Sequence, residues 1–291
     1  MKIGLSFFGL GIKSYPIIAQ KAEEVGFESL WVSEHLVFPA DIPPTYPYTE
    51  DGRPPVTSNT PLMDPWVLLS FVAASTSKVR LGTGVYILPL RNPFVTARAV
   101  CTLDRLSSGR AILGVGIGWL KEEFEAVGER WDNRGERSLE IVEIIRKLWT
   151  EPVIEHHGKH YSFGPVKFEP KPAQKPHPPI EFGGETPAAL RRAGTHGDGW
   201  IATGGHTPDS VRQSIRRITE ARKSVGRDRL PFDVTIVSRG EPKVDEVKRF
   251  EEAGVTRVFI RPVMRAGVDK IGLPDLLGRL DHLGEHLISK V

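Results

Sequence analysis

The chain has 291 residues, 40% hydrophobic and 26% charged, with 39 basic against 36 acidic side chains, a net charge of +3 and a pI near 8.9. That is an ordinary globular composition, long enough for one large α/β domain or two smaller ones. The scattered excess of base argues against a nucleic-acid arm, no apolar run approaches the length of a membrane span, and the single cysteine, Cys101, excludes an internal disulfide or a thiolate metal cluster.

In chain order, an apolar strand is expected over 2–8. The opening run is short and broken by glycine, unlike a signal peptide, so a cytoplasmic location is expected. Ser14 can cap a helix with Ile18, Ala22 and Val25 on one face, and Gly26 stops it. A strand over 29–33 ends at Glu34-His35. Residues 36–61, rich in Pro, Thr, Tyr and Asp, show no periodicity; loops of that length are commonly binding loops or lids. Asp64 caps a helix over 65–75.

Residues 79–119 carry the clearest pattern. A β-branched run over 79–88 leads to Asn92, a good N-cap, and Pro93, a good first helical residue. A helix over 94–107 stops at Ser108-Gly109, and a strand over 111–115 follows. This strand–helix–strand unit calls for parallel neighbours in one sheet. Cys101 falls within the helix and is expected to be buried and inert. Gly82 and Gly84 in the first strand, and Gly114, Gly116 and Gly118 in and after the second, suggest that something flat comes close to the backbone there.

Helices are expected over 120–127 and 137–148, the second with Ile141, Ile144, Ile145 and Leu148 on one face. A hairpin over 154–163 turns at Gly158-Lys159, followed by a proline-rich extended stretch over 165–179. His156, His157 and His160 straddle that turn without a carboxylate or cysteine to complete a metal site, so no metal is expected. Strands over 180–182, 199–202, 232–237 and 255–260 then alternate with helices over 186–193, 209–225, 244–253 and 276–288. Eight strands, nearly all followed by a helix, argue for an α/β chain of the (β/α)8 barrel type. Residues 1–291 would form one domain, with loop insertions after strands 2 and 4.

A barrel puts its chemistry at the carboxyl ends of the strands. The residues there are Phe8-Gly9, Glu34-His35, Thr83-Gly84, Gly116 to Trp119, Gly183 to Thr186, Thr203 to Gly205, and Arg261. Gly183-Gly184-Glu185-Thr186 can bind an anion through free backbone N–H groups at a helix start, or can be an ordinary strand–helix turn; the pattern does not separate the two. His35 is the best acid–base candidate, because imidazole suits proton transfer; the alternative is a histidine that only hydrogen-bonds the following loop.

Several ordered segments resemble the bacterial luciferase-like monooxygenase family. They are Leu81-Gly82-Thr83-Gly84-Val85, Leu88-Pro89-Leu90-Arg91-Asn92-Pro93, Leu103-Asp104-Arg105-Leu106-Ser107, Gly109-Arg110 and Gly114-Val115-Gly116-Ile117-Gly118-Trp119. Ala22 to Phe27 and Leu30 to His35 resemble the family's first helix and second strand, and Gly183-Gly184 and Gly197-Asp198-Gly199-Trp200 its later segments. Within the family, the compact chain most resembles oxidoreductases dependent on the deazaflavin coenzyme F420; other members use reduced FMN with oxygen.

The resemblance implies a (β/α)8 barrel, a non-proline cis peptide at Gly84-Val85, and His35 as proton donor or acceptor. It implies a cofactor site of Glu34, Thr83, Gly84, Val85, Gly116, Gly183, Gly184, Thr186 and Trp200, with the phosphate at Gly183, Gly184 and Thr186. Lys167, Lys171 and Lys175 would be placed to meet an acidic oligoglutamate tail, or simply belong to a solvated loop. One departure stands out. The sugar-phosphate dehydrogenase branch has an acidic proton acceptor where this chain has Trp119, with Glu122 and Glu123 further on. Trp119 is instead expected to line an apolar substrate pocket with Tyr46, Tyr48 and Trp66. Three functions are therefore expected in turn: F420-dependent hydride transfer to or from a small organic substrate; a two-component monooxygenase using FMN and O2; and a flavin-binding barrel without catalysis. A homodimer and a flavin or F420 reductase partner are expected, with no nucleic acid and no membrane.

Overall fold

The computed structural model describes residues 1–7, 14–203, 205–238, 240–261 and 272–291. Phe8-Gly9 and Gly204 lie outside them. Nine strands form one parallel sheet: β1 (Lys2–Ser6), β2 (Ser29–Val32), β3 (Arg80–Thr83), β4 (Tyr86–Ile87), β5 (Ala111–Gly116), β8 (Ile180–Gly183), β9 (Gly199–Ala202), β10 (Asp233–Ser238) and β11 (Arg257–Ile260). The short strands β6 (Ile154–His157) and β7 (Ser162–Val166) pair antiparallel in a separate hairpin. β4 continues β3, so the sheet has eight staves. It closes because β1 pairs with β11, and β3 pairs with β5 through Leu81 opposite Ala111. This is a (β/α)8 barrel.

Helices α1 (Tyr15–Glu24), α2 (Pro65–Ala73), α3 (Pro93–Leu106), α4 (Lys121–Ala126), α5 (Arg134–Thr150), α6 (Pro187–His196), α7 (Pro208–Ser224), α8 (Val244–Glu252) and α9 (Leu273–His286) accompany the strands. The starts of α2, α3 and α6 follow from local chemistry. Asp64 accepts from the N–H groups of Trp66 and Val67, Asn92 from Phe94, and Thr186 from Ala189, each with a proline at the first helical position. Ser14, at the start of α1, makes no such side-chain bond. The expected strand over 79–88 is broken. The Gly84–Val85 peptide is cis, and Leu88–Leu90 form a 3-10 turn at Pro89, which has no N–H for a ladder.

Strand alternation sorts the core into two shells. Ile3, Leu5, Leu30, Leu81, Leu113, Val258 and Ile260 face outward into the layer under the helices. Trp31, Ile112, Ile201, Val237 and Phe259 face inward, with Trp31 and Phe259 stacked at 5.5 Å. Below them lies a polar floor. Arg257, fully buried, donates to Glu28 Oε2 (3.0 Å), Glu181 Oε1 (3.0 Å), Asp233 Oδ2 (3.2 Å) and Thr235 Oγ1 (2.8 Å). Burial opposes the charge on Arg257, yet Glu181, Glu28 and Asp233 together raise its pKa above the usual arginine value.

The expected hairpin is present, but its histidines are not without carboxylates. Glu140 on α5 accepts from the His160 and Tyr161 N–H groups and lies 3.1 Å from His156 Nε2, tying the hairpin to the barrel. Among the described residues, no three His, Cys, Asp or Glu side chains gather as a metal site. Cys101 is buried against the Pro170 carbonyl, and burial pushes its thiol up. Among the described residues, no helix is long and apolar enough to cross a membrane.

Candidate active site

A cavity of about 430 Å3 opens at the carboxyl ends of the strands, above Ile201, Val237 and Phe259 of the inner core. That volume is in the range of small-molecule sites. His35, Glu34, Gly84, Val85, Gly116, Trp119 and Tyr46 all line it, as do Gly183, Gly184 and Thr186 at the start of α6. Residues 45–48 and 54–56 of the long segment after β2 form one wall. The segment is therefore placed as a binding loop would be.

His35 is the centre of the polar chemistry. Its Nδ1 lies 2.8 Å from Glu123 Oε2, and the other carboxylate oxygen of Glu123 accepts the Leu36 N–H at 2.7 Å. Glu123 is fully buried, on the first turn of α4. Gly118, with φ +79°, makes the turn that returns the chain to α4; a Cβ there would meet the Phe124 ring at 2.6 Å. A carboxylate accepts only, so Nδ1 carries the proton and Nε2 is left to accept or donate at the other side of the ring. Trp119 packs edge-on to His35 (5.6 Å between centroids) and to Tyr46 (5.1 Å), which in turn meets Tyr48 (5.3 Å). Burial raises both phenols, Tyr48 to about 12, so at neutral pH each keeps its proton. Sequence reasoning noted Glu123 only as an acid beyond Trp119 and gave it no role beside His35.

Glu34 does not present a free carboxylate. Arg91 donates to it through both terminal nitrogens and the Ile87 N–H reaches it at 2.6 Å. Burial pushes the carboxyl up, opposed by Arg91 and that N–H. Glu34 thus braces β4 while forming part of the wall.

Three expected site residues lie outside the cavity lining, for one reason of strand and helix geometry. Thr83 shares the outward face of Leu81, is fully buried, and donates to the Gly114 carbonyl of the next strand at 2.7 Å. Trp200 alternates with inward Ile201, packs under the helices, and donates Nε1–H to the Gly184 carbonyl at 2.8 Å, where it fixes the turn before α6 from behind. Trp66 sits on α2, in the helix–sheet layer against Tyr86 (5.2 Å), rather than in a substrate pocket. The lysines expected near an acidic tail are also absent from the lining; Lys171 is held by the Leu148 carbonyl at 2.9 Å at the end of α5.

Close protein neighbours account for much of the glycine cluster. A Cβ on Gly82 would meet Trp31 at 2.7 Å, one on Gly114 the Thr83 carbonyl oxygen at 1.9 Å, and ones on Gly116 and Gly183 the Val85 methyls at 2.6 and 2.8 Å. These glycines make room for Trp31, for β3 and for Val85, whereas a Cβ on Gly84 would meet nothing nearer than 3.5 Å and Gly84 lines the cavity. The consequence is still a cavity floor, because Val85 is seated on Gly116 and Gly183 and faces the opening.

The cavity lining also has a cationic part, Arg134 and Arg192. Gly184 has φ +109° before the Thr186 cap of α6. Arg134, stacked on Trp131 at 3.5 Å, donates to the Gly118 and Trp131 carbonyls. Arg192 lines the cavity with no hydrogen-bond acceptor among the described residues; burial lowers its pKa, and Arg134 adds to the effect. Guanidinium groups beside the N–H groups of a helix start suit a phosphate.

The model of the luciferase-like monooxygenase family matches residues 11–255. An uncharacterised protein of Mycobacterium tuberculosis is 34% identical over 279 residues, 95% of each chain. An F420-dependent glucose-6-phosphate dehydrogenase of Amycolatopsis mediterranei is 35% identical over 220 residues, 72% of this chain and 60% of that one. The crystal structure of a monooxygenase from Streptomyces bottropensis superposes with a TM-score of 0.78 at 22% identity, over 99% of each chain. A barrel closed by β1 and β11, a family match across most of its length and relatives at 34–35% identity place this chain in the luciferase-like monooxygenase family, as an oxidoreductase.

Proposed function

We propose that the protein is an F420-dependent oxidoreductase acting on a small organic substrate, with His35 giving or taking the proton. The observation that carries the reading is that one cavity is lined both by a carboxylate-held imidazole, His35, and by the Arg134–Arg192 pair with the α6 start. The residues fit such a cofactor, because the Arg192 guanidinium, without an acceptor among the described residues, and the Gly183-Gly184 turn can receive a phosphate, and Val85 with the apolar floor can back a flat ring. When bound, F420 supplies a two-electron hydride carrier. The protein orients the partners, excludes water with segment 36–61, and exchanges the proton at His35 Nε2 while Glu123 holds Nδ1–H. The whole of 1–291 acts as one barrel domain in this reading, since its last strand pairs with its first.

The choice of F420 over FMN is supported by the Amycolatopsis relative. The match to the luciferase-like monooxygenase family favours a second reading, a two-component monooxygenase in which the same cavity would hold FMN, supplied reduced by a partner reductase, for chemistry with O2. Parallel calorimetric titrations with F420 and FMN separate them. F420 is expected to bind the more tightly, and Arg192→Gln to weaken it by about 10-fold or more, the scale of a charge-assisted contact. Preference for FMN, with no F420 binding, overturns the first reading.

We also propose a homodimer. α2 reads PWVLLSFVA, apolar all round, and a helix of that kind is normally covered on every side. Yet Val67 and Phe71, one turn apart, are 71% and 53% exposed, and Val95 on the adjacent α3 is 62% exposed. Light scattering is expected to give twice the chain mass, and Phe71→Asp to halve it. A monomeric unmutated protein rejects the proposal.

A further inference from the structure

Strand alternation puts Arg257, Phe259 and Arg261 on the same inward face of β11. Arg257, in the floor, is saturated with acceptors. Arg261, above Phe259 at the mouth, has none among the described residues. Its Nε is out of contact with solvent and makes no hydrogen bond, and burial lowers its pKa. A buried cation without a partner is costly, so such a group normally has an anion to meet.

No carboxylate of the cavity meets it. Among the described residues only Glu34 and Glu185 bring a carboxylate to the opening, and both are engaged. Glu34 is held by Arg91 and the Ile87 N–H. Glu185 accepts from the Thr203 N–H, the Thr203 hydroxyl and His206 Nε2; burial would raise its pKa, but these bonds outweigh it and hold the carboxyl low. The cavity therefore has two separate cationic poles, Arg134–Arg192 by α6 and Arg261 at the end of β11. One cofactor phosphate accounts for the first.

We infer that the substrate carries a carboxylate that Arg261 binds, with its organic body against Tyr46 and Trp119, within reach of the His35 end of the cavity. A guanidinium grips a carboxylate through two parallel N–H bonds, and its fixed fork orients what it holds. The ring edges of Trp119 and Tyr46 supply an apolar wall suited to an aryl or alkyl body. This inference rests on the proposed assignment of the cofactor phosphate to the Arg134–Arg192 pole.

The test is calorimetry on the full chain, alone and saturated with whichever of F420 or FMN it binds, using benzoate, benzamide and phenyl phosphate as probes. Benzoate is expected to bind both forms. Benzamide, and benzoate on Arg261→Gln, are expected to be weaker by about 10–100-fold, with Arg261→Lys between. Arg192→Gln should leave benzoate unchanged while weakening the cofactor, and an unaltered melting temperature of Arg261→Gln shows that its fold is intact. The carboxylate assignment is overturned if benzamide binds as well as benzoate, if phenyl phosphate binds more tightly than benzoate, or if benzoate fails to bind the unmutated protein at millimolar concentration. It is also overturned if cofactor saturation abolishes benzoate binding or Arg261→Gln weakens the cofactor, since Arg261 then serves the cofactor itself. A chain that binds FMN alone, yet loses benzoate on Arg261→Gln, keeps the subsite and loses the F420 reading.

Discussion

Arg257→Met is expected to destabilise the fold by about 3–5 kcal/mol at neutral pH, the scale for breaking a buried ion pair from one side. The loss is large because of what stays behind. Glu181 is fully buried, and without Arg257 its one remaining polar contact is the Thr235 hydroxyl at 3.2 Å. Glu28 and Asp233 are partly exposed, and Asp233 keeps Lys2 and Thr256, so they contribute less. The Arg257→Met/Glu181→Met double variant removes both charges and is expected to recover most of the stability, because two well-packed apolar side chains can replace a buried pair at little net cost.

The pH dependence has a definite sign. Burial works to raise Glu28 and Asp233, but Arg257, helped by Ser29 and Arg80 at Glu28 and by Lys2 and Thr256 at Asp233, outweighs it and holds both below their usual values. Their contribution is present above the unfolded carboxylate range and is lost as pH falls through the folded values. In the single variant that contribution is reduced, and the unpaired Glu181, already pushed up by burial, favours its protonated form. The gap between the unmutated protein and Arg257→Met should therefore narrow as pH falls from 7 towards 4. Denaturant midpoints at several pH values measure it. A single-variant loss below about 1 kcal/mol, or a double variant no better than the single, would sink the account.

The floor that this experiment probes was available in the sequence but not recognisable as a floor. Glu181, Asp233, Thr235 and Arg257 each interrupt an apolar strand on its inward period, in three different staves. Only the closed sheet brings them to one level. Helix starts were legible because their chemistry is local: Asp64, Asn92 and Thr186 each bond an N–H two or three residues on. The misplaced site residues, Thr83 and Trp200, sit at the correct strand ends but on the outward phase, a distinction of one residue in register that motif matching does not resolve. Gly84, Gly116 and Gly118 lie at the cavity, but a strand glycine records a close neighbour without saying whether it is protein or ligand, and at Gly82 and Gly114 that neighbour is protein. The His35 partner was the least legible of all, since Glu123 lies 88 residues away and reaches the imidazole only through the turn at Gly118.

That partner sets the second large effect. Glu123→Gln is expected to lower turnover by about 10²-fold or more, a substantial part of what positioned acid–base groups contribute, while leaving cofactor affinity and KM nearly unchanged. Glu123 does not line the cavity, so it is a positioning residue and acts through His35. The mechanism is tautomer control. In the unmutated protein Glu123 fixes the proton on Nδ1 and leaves Nε2 toward the substrate side. A glutamine oxygen can still accept the Leu36 N–H, but its amide then offers a donor to Nδ1 and favours the tautomer with the proton on Nε2. Glu123→Ala is harsher, since it leaves both the Leu36 N–H and Nδ1–H without an acceptor, at about 1–3 kcal/mol of stability for each buried group. Nitrogen-15 NMR of the imidazole gives a readout that needs no substrate: Nδ1 protonated in the unmutated protein, Nε2 protonated in Glu123→Gln. If the unmutated protein already carries the proton on Nε2, or if the variant switches tautomer with no loss in kcat once a substrate is in hand, then Glu123 holds the loop after β2 and does not govern the proton at His35.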